Sequence, residues 1–375
     1  MTSPRPLAEL TTLRLGGPPD RYVEVDSEIG LIGAVREADD VGEPVLVLGG
    51  GSNLVVADAG FAGVVVRDVR RGIVVEDDSG SCGGVSIRVP AGTPWEDVVE
   101  RAVGEGWVGV EALTGIPGST GATPVQNVGA YGQEVSGVVS TVRVWDRDEQ
   151  RVRTLALVEL EFGYRSSVLK RSLRDGAGQP SEFAPTPRYV VLDVGFQLRL
   201  GGLSAPIAYP ELAALLGVPV GRSAPLTEVR AAVLSLRRRK GMVLDAADQD
   251  TWSAGSFFTN PVVPAALADR LPPGAPRYAV RSARPQTTTG PSLGAIDESL
   301  VKTSAAWLIE HAGFGRGFGL PGPVGLSTKH TLALTNRGTG TTTALVGLAR
   351  TVRDGVEAAF GITLEPEPVL VGVTL

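Results

Sequence analysis

The sequence predicts an α+β fold with two or three domains, and three observations support this fold class. The chain has 375 residues, which is more than a single hydrophobic core usually serves. Helical and strand patterns alternate irregularly, without the strict repetition of a doubly wound sheet. The composition is that of a globular protein, with 43% hydrophobic and 20% charged residues, and its character changes after Leu200.

Apolar runs predict the strands, and helical spacing with end signals predicts the helices. The predicted strands are 21–25, 45–48, 63–67, 141–145, 190–200 and 368–373. Helices are predicted after Ser27 and Thr93 and over 226–240, 302–312 and 344–360. Thr93 and Glu96 have the spacing of a capping box. Residues 172–188 and 264–299 are rich in turn-forming residues, which predicts a surface insertion apart from the core motifs and a long loop.

Charge and cysteine content exclude several classes of function. The formal net charge is −6, which argues against nucleic acid as a main partner. The single cysteine, Cys82, is typical of a reducing compartment, and two histidines, His311 and His330, do not make a metal site alone. The N-terminus has no signal-peptide pattern, and no apolar run reaches membrane-spanning length. We therefore expect a cytoplasmic protein without membrane insertion.

The first of two glycine-rich loops follows the predicted strand 45–48 and reads Gly49-Gly50-Gly51-Ser52-Asn53. Consecutive glycine amides can form an anion-binding nest suited to a diphosphate. An extended segment follows, whereas a Rossmann fingerprint opens a helix and a Walker loop continues with Gly-Lys-Ser/Thr. A tight turn between two strands is the alternative interpretation.

The second glycine-rich loop, 114–132, is long and has neither helical nor strand periodicity. Loops of this length in compact domains are usually functional. Its small residues permit a close backbone approach, and Ser119, Gln126 and Asn127 are polar donors. A plain surface loop is the alternative, but two such loops in one chain favour the binding of a phosphate-bearing ligand.

Together with five further phrases, these loops resemble the UDP-N-acetylenolpyruvoylglucosamine reductase (MurB) family of flavoproteins. The phrases, in family order, are 11–17, 162–167, 255–261, 327–330 and 364–367. The resemblance covers nearly the whole chain. It implies a two-lobed FAD-binding domain of the vanillyl-alcohol-oxidase (PCMH) type, followed by a smaller α+β substrate-binding domain. The lobes would span 1–72 and 73–200, and the substrate domain 201–375, with its last strand able to return to the first lobe.

The resemblance also implies the reaction. NADPH reduces a noncovalently bound FAD, and the reduced flavin delivers hydride to UDP-N-acetylglucosamine enolpyruvate, which becomes UDP-N-acetylmuramate for peptidoglycan synthesis. The residues that would bind FAD belong to the two loops. They are Gly49, Gly50, Gly51, Ser52, Asn53, Gly115, Gly118, Ser119, Gly121, Gln126, Asn127 and Gly129.

Three catalytic residues are implied by the family's motifs. Ser256 is the predicted proton donor, with a turn before Pro261 as the alternative interpretation of its position. Glu367 is predicted to assist the protonation. Glu365 would point to the same face of an extended segment, so only the motif separates the two carboxylates. Arg165 is predicted to stabilise the negative charge that develops on the substrate carboxylate.

The resemblance further implies that Tyr209 and Lys240 contact the substrate diphosphate, helped by Asn260. A solvated basic helix end is the alternative for Lys240. Lys302 and His330 are further candidates without an assigned role. Thr259 stands where some relatives carry Lys, which could alter phosphate contacts.

Two rival functions stay open. One is a different FAD oxidoreductase with the same domain, such as an oxidase of small alcohols. Cys82 and both histidines lie outside the glycine-rich loops, which disfavours the covalent flavin attachment that such oxidases often have. The other is a noncatalytic UDP-sugar- or flavin-binding protein.

Overall fold

The computed structural model describes residues 5–77, 84–285 and 294–375. Cys82 and part of the predicted loop 264–299 fall outside these ranges. Within them, no helix combines the length and the apolar character needed to cross a membrane.

The described ranges contain eight α-helices. They are α1 (Glu28–Val41), α2 (Trp95–Gly104), α3 (Val168–Arg171), α4 (Pro210–Leu216), α5 (Leu226–Arg239), α6 (Ala265–Ala268), α7 (Ala305–His311) and α8 (Thr342–Phe360). Ser27 caps α1 by accepting a hydrogen bond from the amide of Gly30, as predicted. The predicted helix 302–312 begins only at Ala305, because Lys302 ends a strand and Ser304 caps α7.

The capping box predicted for α2 is wrong. Pro94 occupies the N-cap position, and the Thr93 hydroxyl donates to the carbonyl of Gly72 instead of capping. The Glu96 carboxylate accepts hydrogen bonds from the Thr114 hydroxyl at 2.8 Å and the Gly115 amide at 2.5 Å. Glu96 therefore fixes the start of the second glycine-rich loop rather than the start of its own helix.

Each of the six predicted strands overlaps an observed strand, and the described residues contain twelve further strands that were not predicted. They are β1 (Pro19–Val25), β2 (Val45–Leu48), β3 (Leu54–Val56), β4 (Phe61–Asp68), β5 (Val74–Asp77), β6 (Gly84–Pro90), β7 (Trp107–Val108), β8 (Gly129–Ala130), β9 (Gln133–Glu134), β10 (Val139–Asp146), β11 (Arg151–Ala156), β12 (Tyr189–Leu200), β13 (Val262–Pro264), β14 (Tyr278–Pro285), β15 (Gly294–Lys302), β16 (Val324–Leu326), β17 (Leu334–Asn336) and β18 (Val369–Val371).

Two sheets form the N-terminal half. Strands β1, β4 and β2 make a parallel sheet covered by α1, and β11, β10, β12, β6 and β5 make an antiparallel sheet against which α2 packs. Trp145 and Leu192 of the second sheet enter the core beneath α1, together with Leu31 of α1 and Val64 of the first sheet. The two sheets therefore share buried surface, and this apolar contact holds them together.

The C-terminal part builds its core around α7 and α8, and it includes residues from the N-terminal half. Leu13, Leu15 and Val55 are buried among Leu308, Val352 and other apolar residues of these helices. The final strand β18 pairs in parallel with β3, with Val369 opposite Leu54. This pairing places Glu367, just before β18, beside Asn53, just before β3. The Asn53 amide Nδ2 lies 3.4 Å from the Glu367 carbonyl.

Helices α4 and α5 lie against the second glycine-rich loop. Their apolar residues Leu212, Val229 and Val233 are buried in one cluster with Ala112, and Tyr131 of the loop packs on this cluster. The loop is thus held from one side by Glu96 and from the other by α4 and α5.

The two segments rich in turn-forming residues both differ from what their composition predicts. Residues 172–188 do not stand apart from the core motifs: the Thr186 hydroxyl accepts a hydrogen bond from the Val47 amide at 2.7 Å. Arg147 donates to the carbonyls of Phe183 and Thr186. The described part of 264–299 is mainly strand and short helix, and β13, β15 and β14 form an antiparallel sheet. Its turn-forming residues cluster between α6 and β14, so composition averaged over the segment concealed the strands.

Candidate active site

The two glycine-rich loops pack directly against each other. A Cβ atom on Gly50 would lie 2.5 Å from the Cα of Gly118, and one on Gly49 would lie 2.3 Å from the Ser119 Oγ. The Ser52 hydroxyl donates to the Pro117 carbonyl at 2.8 Å. Glycine at these positions is therefore needed for the contact between the loops, in addition to any approach by a ligand.

This packing leaves backbone donors free. Within the described residues, the N–H groups of 49–53 donate no hydrogen bond, and those of Gly118 and Ser119 donate none either. Gly51 has φ +60°, a left-handed conformation of the kind that turns successive amides towards one side. Unpaired backbone donors are rare unless they meet water or a ligand, so the first loop has the character of an anion-binding nest.

The loops form one wall of a cavity of about 1910 Å³, a volume that includes its open mouth. The predicted cofactor residues that line it are Gly49, Gly50, Gly51, Ser52, Asn53, Gly118, Ser119, Gly121, Gln126 and Gly129. The predicted catalytic residues Arg165, Ser256 and Glu367 line the same cavity. Apolar side chains such as Leu46, Leu48 and Ile116 complete its walls, as is usual for sites that bind flat organic rings.

Gly115 and Asn127 do not line the cavity. Gly115 faces α5, where its Cβ would lie 2.9 Å from Leu234. Asn127 is buried; its Nδ2 donates to Glu134 and to the Gly163 carbonyl, and its Oδ1 accepts from the Ser136 amide. Both residues therefore hold the shape of the second loop.

Arg165 and Glu367 form the central ion pair of the cavity, with Arg165 Nε 3.0 Å from Glu367 Oε1. The Nε–H vector is not aligned with the carboxylate, so the contact is an ion pair rather than a well-directed hydrogen bond. The two Nη atoms donate to the carbonyls of Asn127 and Gly129. Arg165 has φ +51°, in a tight turn closed by hydrogen bonds between Gly163 and Ser166. This costly backbone conformation presents the guanidinium to the cavity.

Ser256 reaches the same wall because its segment runs beside the segment of Glu367. The Glu367 amide donates to the Phe257 carbonyl at 2.8 Å, and the Thr259 amide donates to the Glu365 carbonyl at 3.0 Å. Phe257 and Phe258 are fully buried and anchor this pairing. The Ser256 hydroxyl has no hydrogen-bond partner among the described residues, so it is free to act on a bound molecule.

Burial distinguishes the two glutamates that spacing could not. The Glu367 side chain is only 12% exposed and lies in the large cavity, whereas Glu365 is exposed and borders a second, separate cavity. Pro366, between them, pairs with Phe258. The expectation that both carboxylates would share one face is therefore wrong.

Glu367 has a mixed electrostatic environment. Burial raises the pKa of its carboxyl, and the nearby cations Arg165 and Lys170 oppose this shift. The Gln126 Nε2 donates to Glu367 Oε1 at 3.3 Å, and the Gln126 Oε1 accepts from Asn53 at 2.8 Å and from Lys170 at 3.5 Å. Burial also lowers the pKa of Lys170. The carboxyl thus lies in a chain of donors that connects it to both glycine-rich loops.

The predicted substrate residues lie outside the wall of the large cavity. Lys240 Nζ is 2.6 Å from Glu211 and lies over the ring of Tyr131, which contacts Tyr209 edge-on at 5.4 Å between ring centroids. Asn260 belongs to the second cavity, where its Oδ1 accepts from the Ala305 amide at the start of α7. The structure therefore brings Tyr209 and Lys240 together but not Asn260.

Burial lowers the pKa of both further candidates, Lys302 and His330. Lys302 Nζ is 4.4 Å from the ring centroid of Tyr164, and burial lowers the pKa of its amine. Burial and the charges of Lys240, Arg316 and Arg237 lower the pKa of His330 to about 4. The cations around His330 make that position suited to an anionic ligand.

Several cavity residues were missed by sequence reasoning. Lys170 is one of only four lysines in a chain whose other basic residues are nearly all arginine. This rarity could have drawn attention to Lys170, but composition gives no role for it. Pro185, Thr186 and Pro187 line the cavity, although their segment has the composition of a surface insertion. Their position depends on the contact between Thr186 and Val47, which no local pattern reveals.

Comparison with protein families agrees with this architecture. Residues 19–155 match a model described as an FAD binding domain, and residues 246–371 match the C-terminal domain of UDP-N-acetylenolpyruvoylglucosamine reductase. A crystal structure of UDP-N-acetylenolpyruvylglucosamine reductase from Thermus caldophilus superimposes with a TM-score of 0.58 at 22% identity. The match covers 98% of this chain and 97% of that one, and it supports the two-lobed fold with a C-terminal domain.

The fold and the cavity define a flavoprotein with an FAD-binding domain and a separate C-terminal domain. Two similar proteins, both named UDP-N-acetylenolpyruvoylglucosamine reductase, specify the family further. The one from Thermobifida fusca is 53% identical over 99% of this chain and 98% of its own length. The one from Cutibacterium acnes is 48% identical over 99% and 90%. The chain belongs to the UDP-N-acetylenolpyruvoylglucosamine reductase family.

Proposed function

We propose that the protein is an FAD-dependent enzyme that reduces the enolpyruvyl group of UDP-N-acetylenolpyruvoylglucosamine, with NADPH as reductant. The product, UDP-N-acetylmuramate, serves peptidoglycan synthesis. Family membership carries the reaction class and the flavin. The roles of individual residues and the choice of NADPH are our assignments.

One observation carries the assignment of catalytic residues: Arg165, Ser256 and Glu367 meet at one cavity although they come from three separate segments. Polar groups inside proteins usually have hydrogen-bond partners. The Ser256 hydroxyl has none among the described residues, which favours a role towards a bound molecule. An arginine, a free hydroxyl and a buried carboxyl are the groups that a reduction followed by protonation needs.

The residues of the cavity suit FAD. The free amides of 49–53 suit the diphosphate, and the apolar walls suit the flat ring system. When bound, FAD accepts hydride from NADPH and supplies it to the substrate.

Hydride addition to the enolpyruvyl group places negative charge next to the substrate carboxylate. The Arg165 guanidinium, fixed by the carbonyls of Asn127 and Gly129, is positioned to stabilise this charge. The free Ser256 hydroxyl donates the proton, a step that general acid catalysis typically accelerates by about 10²–10⁴-fold. Glu367 faces the same cavity and is positioned to assist the transfer, and burial raises the pKa of its carboxyl against the opposing charges of Arg165 and Lys170.

We further propose that the cluster of Tyr209, Lys240 and Tyr131 binds the substrate diphosphate, with Asn260 contributing from its side of the C-terminal domain. We also propose the domain boundaries. The FAD-binding domain consists of two lobes, 1–72 and 73–200, and the substrate domain spans 201–375. A cytoplasmic location accompanies it, because one cysteine in the whole chain is typical of a reducing compartment.

An anaerobic absorbance titration of the purified protein tests the proposal. NADPH should bleach the flavin bands, and UDP-N-acetylglucosamine enolpyruvate should restore them. If flavin is present but the sugar does not reoxidise it, another substrate and the oxidase alternative are favoured. If FAD does not bind on reconstitution, the interpretation of the cavity is wrong.

The Ser256→Ala variant separates enzyme from binding protein. We expect NADPH to bleach its flavin at the wild-type rate, which is the internal control, while reoxidation by the sugar slows by about 10²–10⁴-fold. Reoxidation at the wild-type rate would remove the assignment of Ser256 as proton donor.

A further inference from the structure

Arg237 is a cation in the cavity wall for which the described residues offer no anionic partner. It lies in the last turn of α5, and its Nη2 donates to the Met242 carbonyl at 2.8 Å. Its Nε is buried without a hydrogen-bond partner. Among the described residues no carboxylate lies within ion-pairing distance of its guanidinium, and Glu96 attracts it only from farther away. A buried cation left in this state is costly unless something else in the cavity meets it.

The other basic residues of the same helix do not share this arrangement. Arg230 pairs with Glu96 at 2.7 Å, and Lys240, just after the helix, pairs with Glu211 at 2.6 Å. Arg238 and Arg239 are exposed to solvent. Burial lowers the pKa of Arg237 to about 10, which leaves the side chain charged at neutral pH. Arg237 is half-buried and lines the cavity.

Arg237 lies close to the second glycine-rich loop, which forms part of the proposed flavin site. A Cβ on Gly115 would lie 3.5 Å from Arg237 Nε, and Gly115 begins the loop whose Gly118 touches Gly50. The guanidinium is thus adjacent to the loop that helps to form the nest of free amides. It faces the same cavity as Arg165 and Glu367 without contacting either.

We propose that Arg237 binds an anionic group of FAD. Two parts of the cofactor supply such an anion: the diphosphate, charged in both redox states, and the N1–C2 carbonyl edge of the isoalloxazine ring, which gains negative charge on reduction. Arg237 is then a binding residue whose charge is neutralised only in the holoprotein. The inference rests on the proposed FAD cavity.

The test uses Arg237→Gln, with Arg237→Lys to retain the charge and Arg238→Gln as a matched control on the exposed face of the same helix. Each apoprotein is reconstituted with FAD, and the dissociation constant of oxidised FAD is measured by flavin fluorescence. The two-electron midpoint potential is measured with reference dyes, and the KM for the UDP-sugar is measured in turnover. Circular dichroism of the apoproteins verifies that each variant is folded.

If the diphosphate is the partner, Arg237→Gln weakens the binding of oxidised FAD by roughly 10- to 100-fold, the effect of one lost charged hydrogen bond. If the ring edge is the partner, oxidised FAD binds normally and the potential falls, by about 30 mV for each tenfold loss of affinity for the reduced form. Arg237→Lys recovers part of either effect, and Arg238→Gln shows neither.

Two outcomes overturn the proposal. Unchanged FAD affinity and potential in Arg237→Gln would show that no FAD anion meets this residue. A rise in KM for the UDP-sugar with unchanged FAD binding would assign the anion to the substrate instead. Failure of the wild-type protein to bind FAD would be a different result, since it would remove the proposed function itself.

Discussion

Arg165 Nε lies 3.0 Å from Glu367 Oε1, and this contact joins a turn of the second sheet's lobe to the segment just before the final strand. The pair depends on one long-range and one local feature: the parallel pairing of β18 with β3, and the turn that holds Arg165 at φ +51°. A change in either element would separate the two charges. The distance between the two charged groups therefore depends on how β18 packs against the N-terminal lobe.

We expect Arg165→Met and Glu367→Gln to act on the same step. Each should slow sugar-dependent reoxidation of the flavin by at least about 10²-fold, because charge stabilisation and proton transfer are both needed after hydride addition. The double variant should be slowed by less than the product of the two single effects, since neighbouring groups are not additive. Stopped-flow absorbance of each half-reaction measures this.

The matched control for the carboxylate is Glu365→Gln, which changes an exposed glutamate two residues away. It should retain reoxidation within about twofold, in keeping with the small effects of surface substitutions. Equal losses in Glu365→Gln and Glu367→Gln would contradict the assignment, because only Glu367 lines the large cavity and pairs with Arg165.

The ionisation of Glu367 should appear in the stability of the apoprotein. Burial raises the pKa of this carboxyl in the folded state, so its stabilising contribution is complete below the unfolded pKa of about 4.3 and is lost as pH rises through the folded value. Glu367→Gln should therefore gain stability relative to wild type as pH rises from about 4 to 7. Urea denaturation across this range measures the difference, and a parallel or opposite trend would show that Arg165 and Lys170 outweigh burial.

Local patterns predicted those elements that carry their own signal. Ser27 caps its helix through a single contact with Gly30, and β2 is a continuous apolar run. Glu96 has the spacing of a capping box but bonds to Thr114 and Gly115, because tertiary partners compete successfully with a local cap.

The site was less accessible to pattern reasoning than the fold. Family motifs indicated Arg165, Ser256 and Glu367, and the structure places all three at one cavity. Motifs did not indicate Arg237 or Thr186, whose positions depend on contacts with distant parts of the chain. Glycine at position 50 was interpreted as an approach for a ligand, whereas the structure also requires it for contact with Gly118.

His330 should make the protein sensitive to mild acid. Burial and the charges of Lys240, Arg316 and Arg237 lower its folded pKa to about 4, from an unperturbed value of about 6.5. The unfolded chain takes up this proton first, so stability is complete above the unfolded pKa and is lost as pH falls from about 6.5 to 4. In His330→Gln, the decrease in the free energy of unfolding over this pH range should be smaller than in the wild type by about 1–3 kcal/mol. Urea denaturation of the apoprotein measures it. Lys240→Met should reduce it in part, and an unchanged pH slope in His330→Gln would rule out the histidine as its source.

The contact between the two glycine-rich loops predicts that an alanine at position 50 is destabilising, and a second glycine of the chain serves as the control. A Cβ on Gly50 would lie 2.5 Å from the Gly118 backbone, so Gly50→Ala must separate the loops; overpacking of this kind costs about 1–3 kcal/mol. FAD affinity should fall with it, because the loop movement displaces the free amides of 49–53. The control, Gly33→Ala on the exposed face of α1, has nothing within 4 Å of its Cβ and should stabilise by about 0.5–1 kcal/mol. Urea denaturation measures the free energy of unfolding of both variants, and FAD titration measures their affinity for the cofactor. If Gly50→Ala keeps wild-type stability and FAD affinity, the loops have room to separate and their packing does not constrain the nest.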